Sequence, residues 1–122
     1  MARVLVIDDN ASLRALLRLR LEEAGHEVVE AADGDEGLRL YREAGADLVL
    51  CDLFLPGKNG VETIRELCQG GGPRVIAMTG DPELFSGPLL RMAERLGAAT
   101  CLRKPFGDEQ LLAAVRAALG EG

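Results

Sequence analysis

Short apolar runs alternate with longer amphipathic stretches along the whole chain. The runs are Val4–Ile7, Glu27–Ala31, Leu48–Cys51, Val75–Met78 and Thr100–Leu102. Three of them are continuous rather than alternating, the pattern of parallel strands covered on both faces. The segment His26-Glu-Val-Val-Glu-Ala-Ala-Asp33 is more mixed, which suits an edge strand. Between the runs lie stretches of helical length. Leu13, Leu16, Leu17 and Leu21 share one face of the first, with Asn10 placed to cap it and Gly25 to stop it. Asp33 and Asn59 each stand three residues before a glutamate, as in a capping box. Gly70-Gly-Gly-Pro73 ends the third helix. The fourth connection is less regular: Asp81-Pro82 and Ser86-Gly87-Pro88 both offer helix starts, and the reading is a short turn followed by a helix from about Pro88 to Leu96. Leu111, Leu112, Val115 and Leu119 form the stripe of the last helix. Strict alternation of this kind predicts an α/β fold with a parallel sheet, right-handed crossovers and helices on both faces.

The residues that follow the strands carry the chemistry. Asp8-Asp9 follows the first run, Asp52 the third, Thr79 the fourth and Arg103-Lys104 the fifth. All strands of a parallel sheet end at the same edge, where ligands of open α/β sheets bind. Four strands thus deliver three carboxylates, a hydroxyl and an ammonium to one rim. Taken singly, Asp8-Asp9 reads as a helix cap, Thr79 as a strand-end hydroxyl and Lys104 as a surface lysine. Their convergence on one rim is what the single readings leave unexplained. Clustered carboxylates raise one another's pKa unless a cation sits among them. Hard oxygen donors on a partly solvated rim suit Mg²⁺. A hydroxyl and an ammonium complement phosphoryl oxygens, and a carboxylate can accept a phosphoryl group.

Composition narrows the function. The chain has 122 residues, 48% hydrophobic and 28% charged, which fits one globular domain with a real core. Its 14 basic and 20 acidic residues leave a net charge of −6, and the arginines are spread singly, which disfavours nucleic acid or an anionic membrane as partner. No apolar run approaches the roughly 20 residues of a membrane helix, and the amino terminus turns acidic too early for a signal peptide, so a cytoplasmic location is expected. Cys51, Cys68 and Cys101 lack metal-ligand spacing and read as free thiols. His26, the sole histidine, reads as an exposed loop residue. Lys58, Asn59 and Gly60 read as turn and cap chemistry. Lys104 is one of two lysines against twelve arginines, which marks a point-charge ammonium at that position.

With the Asp8-Asp9 pair, "CDLFLPGKNG" from Cys51 to Gly60, "MTG" from Met78 to Gly80 and "LRKPF" from Leu102 to Phe106, the chain resembles a response-regulator receiver domain from Arg3 to about Leu119. The resemblance implies a flavodoxin-like (βα)5 doubly wound sheet of strand order 2-1-3-4-5. It implies that Asp52 is the phosphoacceptor, and that Asp9, Asp52 and the backbone carbonyl of Phe54 bind Mg²⁺, with Asp8 helping through a metal-bound water. Thr79 and Lys104 would contact the phosphoryl oxygens, and Pro105 would follow a cis peptide bond. The implied donor is a sensor histidine kinase or a histidine phosphotransfer protein. The signal would leave through the fourth helix, fifth strand and fifth helix to a downstream protein. Cys101 stands where the family usually has an aromatic residue, and Phe54 where a polar residue or methionine is common.

Three rival readings are weaker. An aspartyl-nucleophile phosphatase needs an acid–base aspartate two residues after the nucleophile, and Phe54 cannot transfer a proton. A flavin- or nucleotide-binding protein would cradle phosphate after the first strand, where Asp8-Asp9-Asn10 repels it. A phosphorylation-independent scaffold has no need of the full set Asp8, Asp9, Asp52, Thr79 and Lys104. The expectation is a single receiver domain over 1–122 without an output domain, either stand-alone or part of a larger regulator or hybrid kinase.

Overall fold

The computed structural model describes residues 1–55, 57, 59–80 and 88–120. Strands and helices alternate through them as β1 (Arg3–Ile7), α1 (Ala11–Glu23), β2 (Glu27–Ala31), α2 (Gly34–Ala44), β3 (Leu48–Asp52), α3 (Gly60–Cys68), β4 (Arg74–Thr79), α4 (Pro88–Leu96), β5 (Ala98–Arg103) and α5 (Asp108–Leu119). All strand pairs are parallel, and the order across the sheet is β2-β1-β3-β4-β5. The fold is therefore the flavodoxin-like, doubly wound sheet expected from the sequence. Lys58 and the Asp81–Gly87 segment, where the irregular helix start was expected, lie outside the described residues.

The continuous apolar runs follow from a sheet buried on both faces. Val4, Val6, Leu48, Leu50, Ile76 and Met78 meet Leu17 and Leu21 of α1 and Leu111, Val115 and Ala118 of α5. On the other face Leu5, Ile7, Val49, Cys51, Val75 and Ala77 meet α2, α3 and α4 through Leu38, Val61, Ile64, Leu67 and Ala93. β2 is the mixed edge strand, with Glu27 exposed and Val28 buried. Three expected core positions, Leu16, Leu112 and Leu119, shift. On α1 the stripe at four-residue spacing buries Leu17 and Leu21, while Leu16, a quarter turn away, is 45% exposed. On α5 the small Ala118 enters the core, Leu119 packs at its margin, and Leu112 is half-buried outside it.

The N-caps are as read, while Glu36 accepts from the Ala32 N–H and Glu62 from the Asn59 side-chain amide rather than from the cap residue's backbone. The side chains of Asn10, Asp33 and Asn59 accept from the backbone N–H of Leu13, Glu36 and Glu62, at 3.1, 2.8 and 2.8 Å. Each such cap stabilises its helix by about 1 kcal/mol. Beyond α3, Gly70 and Gly71 adopt positive φ, which glycine takes without strain. No helix among the described residues is long and apolar enough to cross a membrane.

Gly60 ties this scaffold to the rim. A Cβ on it would lie 2.0 Å from the carbonyl oxygen of Asp52 and 2.5 Å from the Cα of Leu53. Only glycine lets the first turn of α3 press against the end of β3, where its N–H donates to the Leu53 carbonyl at 3.1 Å. Because the obstructing atoms are backbone, they cannot swing aside. Gly60→Ala should lower the unfolding free energy by about 1–3 kcal/mol. Urea denaturation measures this, and an unchanged midpoint would contradict the close approach.

Candidate functional site at the carboxyl edge of the sheet

Asp8 follows directly on β1 and is fully buried. Its N–H donates to the Ala31 carbonyl at 3.1 Å, which extends the edge of the ladder by one bond. Its carboxylate accepts from the Asn10 N–H through Oδ1 at 2.9 Å and from Lys104 Nζ through Oδ2 at 2.6 Å. Asp52 ends β3 and is 5% exposed. Its Oδ1 accepts from the Phe54 N–H at 3.0 Å, and its Oδ2 from the same Lys104 Nζ at 2.8 Å. Lys104 is anchored through its own N–H to the Thr79 carbonyl at 2.7 Å, and the Lys104–Pro105 peptide bond is cis, as expected. Thr79 ends β4 and is buried, while Asp9 is exposed. Asp9, Asp52, Phe54, Thr79, Gly80 and Lys104 line a cleft of about 300 Å³. All the residues read as candidates from the sequence thus meet on one rim.

The electrostatics are unbalanced. Ligand oxygens of Asp8, Asp9 and Asp52 all lie within 4.8 Å of one another. At that range, with an effective dielectric of about 20, each ionised pair repels by a few kcal/mol. Lys104 is placed between two of them, Asp8 and Asp52. Burial pushes the pKa of Asp52 up, and the nearby Asp8 adds to this; the hydrogen bonds from Lys104 and from the Phe54 N–H pull the other way without cancelling it. For Lys104, burial favours the neutral amine, but the hydrogen bonds and charges of Asp52 and Asp8 outweigh it and hold the ammonium above its ordinary value. An ammonium with a raised folded-state pKa contributes its stabilisation in full below its unfolded pKa of 10.5 and loses it only as the pH rises through the folded value. The lysine is therefore charged throughout the neutral range.

Clustered all-oxygen donors with surplus negative charge and open access from the cleft are the donor set a hard divalent cation takes. The residues present fit Mg²⁺, with Asp8, Asp9 and Asp52 as the acidic group.

The thiols stand apart from this chemistry. Cys51, Cys68 and Cys101 are free, and Cys101 is pushed up to about 11 by burial, Glu94 and Asp52, so it stays a protonated thiol at neutral pH. His26 is half-buried rather than exposed, with Nδ1 accepting from the Ala2 N–H at 3.2 Å at the opposite edge of the sheet. Two contributions escaped the sequence: the close approach of Gly60, and the Phe54 N–H as a donor to Asp52. Both depend on where the backbone turns after β3, which no spacing rule states.

The chain matches the family model of the response regulator receiver domain over residues 4–116. It is 36% identical over 117 residues to the DNA-binding response regulator MtrA of Mycobacterium tuberculosis, covering 96% of this chain and 50% of that protein. It is 35% identical over 123 residues to the protein PilH of Pseudomonas aeruginosa, covering 98% of each. Among solved structures, the chemotaxis response regulator CheY4 of Vibrio cholerae superimposes with a TM-score of 0.88 at 30% identity, over 98% of this chain and 99% of that one. The chain spans about half the length of the MtrA and CpxR relatives it matches.

The charge imbalance predicts opposite effects for two substitutions. Lys104→Met leaves two buried carboxylates without their cation and should lower stability by about 3 kcal/mol. Asp52→Asn removes a buried charge while Asp8 still partners the lysine, and should raise stability by about 1 kcal/mol. Chemical denaturation at neutral pH without divalent cations reads both, and destabilisation by Asp52→Asn as large as that by Lys104→Met would contradict the imbalance.

Proposed function

The chain belongs to the response regulator receiver domain family, and we propose that within it Asp52 accepts a phosphoryl group from a phosphohistidine donor in a Mg²⁺-dependent reaction. It is a receiver domain of a signalling family rather than a classical enzyme. The observation that carries the proposal is Lys104 Nζ, held by Asp52 and Asp8 together beside the cleft that Thr79 and Asp9 also line.

A carboxylate oxygen of Asp52 attacks phosphorus, the P–N bond to the donor imidazole breaks, and its electron pair stays on the imidazole. The product is a mixed anhydride on Asp52. Burial raises the basicity of this carboxylate and with it the nucleophilicity of its ionised form, while the Phe54 N–H orients one oxygen. Lys104, already 2.8 Å from Asp52, takes up charge on the transferred phosphoryl oxygens, and the Thr79 hydroxyl supplies a hydrogen bond to them. Asp9, Asp52 and the Phe54 carbonyl would hold Mg²⁺, with Asp8 as the third carboxylate of the group. Bound there, the ion would offset the negative charge of carboxylate and phosphoryl as they approach.

Thr79 and Lys104 terminate or follow the strands that lead into α4 and α5. A phosphoryl group that engages both therefore biases the conformation of the α4–β5–α5 face, the surface we assign to a downstream protein partner. A sensor histidine kinase or a histidine phosphotransfer protein is the proposed donor, and the domain acts in the cytoplasm.

Incubation with acetyl phosphate and Mg²⁺, followed by intact mass measurement, should show one phosphoryl adduct that is lost with Asp52→Asn or with chelator. Absence of an adduct from any phosphodonor would favour a binding scaffold. Phe54 is 77% exposed beside the acceptor, with its bulk available to cover the approach of water to phosphorus. Decay of the adduct should be faster in Phe54→Asn than in the parent, and equal decay rates would dispose of this shielding role.

A further inference from the structure

The carbonyl of Asp8 lies in a gap between two hydrogen-bonding systems. The paired register of β1 with β2 and β3 stops at Ile7. The first backbone bond of α1 runs from the Arg14 N–H to the Asn10 carbonyl. Arg14, in the first turn of α1, fills this gap: its Nη1 donates to the Asp8 carbonyl at 2.6 Å. Its Nε donates to Glu30 Oε1 at 3.2 Å, and both side chains are largely buried, at 16% and 24% exposed. The other oxygen of Glu30 accepts from Arg18 Nη1 at 2.7 Å, and Arg18 Nη2 donates to the Val28 carbonyl at 2.8 Å. The arginine fork is thus held from α1 and from the edge strand β2 at once.

We propose that Arg14, clamped by Glu30, is a positioning residue for the acidic cluster, fixing the Asp8–Asp9 peptide and so the aim of Asp9. The inference rests on the reading of Asp8, Asp9 and Asp52 as a divalent-cation site. Asp8 needs little help with its side chain, because Asn10 and Lys104 already take both carboxylate oxygens. Asp9 is different: it is exposed, so the orientation of its carboxylate depends on the peptide that precedes it. A charged donor at 2.6 Å holds that peptide more firmly than water would. Glu30 and Glu22 together balance the charges of Arg14 and Arg18, so the effect assigned to Arg14 is the geometric one of holding the peptide. A flat fork that reaches a carbonyl and a carboxylate together is something lysine reproduces only in part.

Mg²⁺ affinity by isothermal titration calorimetry tests this on the full chain, alongside unfolding free energy. Arg14→Met should weaken Mg²⁺ binding by about tenfold, the scale on which outer partners of metal ligands act. Glu30→Gln should weaken it by a smaller factor, and Arg14→Lys should recover part of the loss. A merely structural Arg14 would lower stability and leave the Mg²⁺ affinity of the folded protein unchanged, and that result overturns the proposal. Should Arg14→Met fail to fold, Glu30→Gln carries the same test, and an unchanged affinity there overturns it equally. A parent protein that binds no Mg²⁺ would remove the divalent-site reading itself, an outcome separate from a parent that binds and variants that match it.

Discussion

One ammonium shared by two buried carboxylates is the constraint on which this structure turns. Lys104 reaches Asp8 and Asp52 from positions 96 and 52 residues away in the chain. Those contacts form only if β1, β3 and β5 end at the same edge and lie in the order observed. The lysine passes over the end of β4, its backbone fixed to Thr79 and its Cβ 3.7 Å from the Cβ position that Gly80 leaves empty. Asp8 and Asp52 are each costly to bury alone, and their joint partner is what makes their burial tolerable. The compensation is incomplete among the described residues, where a third carboxylate, Asp9, stands within 4.8 Å and the one described lysine is shared by the other two. That residue of negative charge gives a cation a reason to bind.

The rest of the molecule makes this rim possible by supplying stability elsewhere. Both faces of the sheet are closed by aliphatic side chains, with Val4, Val6, Ile76 and Val75 wholly buried. Fully burying a side chain of this kind stabilises the fold by about 1.5–3 kcal/mol. A scaffold secured by its two cores can hold a strained set of charges at the strand ends, and α3 is drawn against that edge by the absence of a side chain at Gly60. The polar side of α1 adds a second line of support, running from Val28 through Arg18, Glu30 and Arg14 to the carbonyl of Asp8.

Much of this was legible in the chain. Continuous apolar runs identified the buried strands, the mixed Glu27–Ala31 segment identified the edge, and the polar residues after each run identified the rim. The strand order came from the resemblance of the motifs to receiver domains, because alternation alone fixes parallelism and not order. Leu16 and Leu112 were misplaced since helical spacing gives a face but not its width, and only a narrow stripe of each helix is buried against the sheet. His26 was read as exposed because its partner, the N–H of Ala2, meets it only across the sheet edge. The close approach of Gly60, read only as turn chemistry, and the contact of Arg14 were missed for a related reason: each involves a backbone atom brought close by the fold, and backbone atoms leave no signature in a sequence.

Asp52 is the proposed seat of the phosphoryl group, with Lys104 as its compensating charge. Reduction of the phosphorylated protein with borohydride converts an aspartyl phosphate to homoserine, which peptide mass spectrometry can place. Homoserine is expected at position 52 and at neither Asp8 nor Asp9. Homoserine at either of those positions, or none after phosphorylation under any donor, would contradict this assignment.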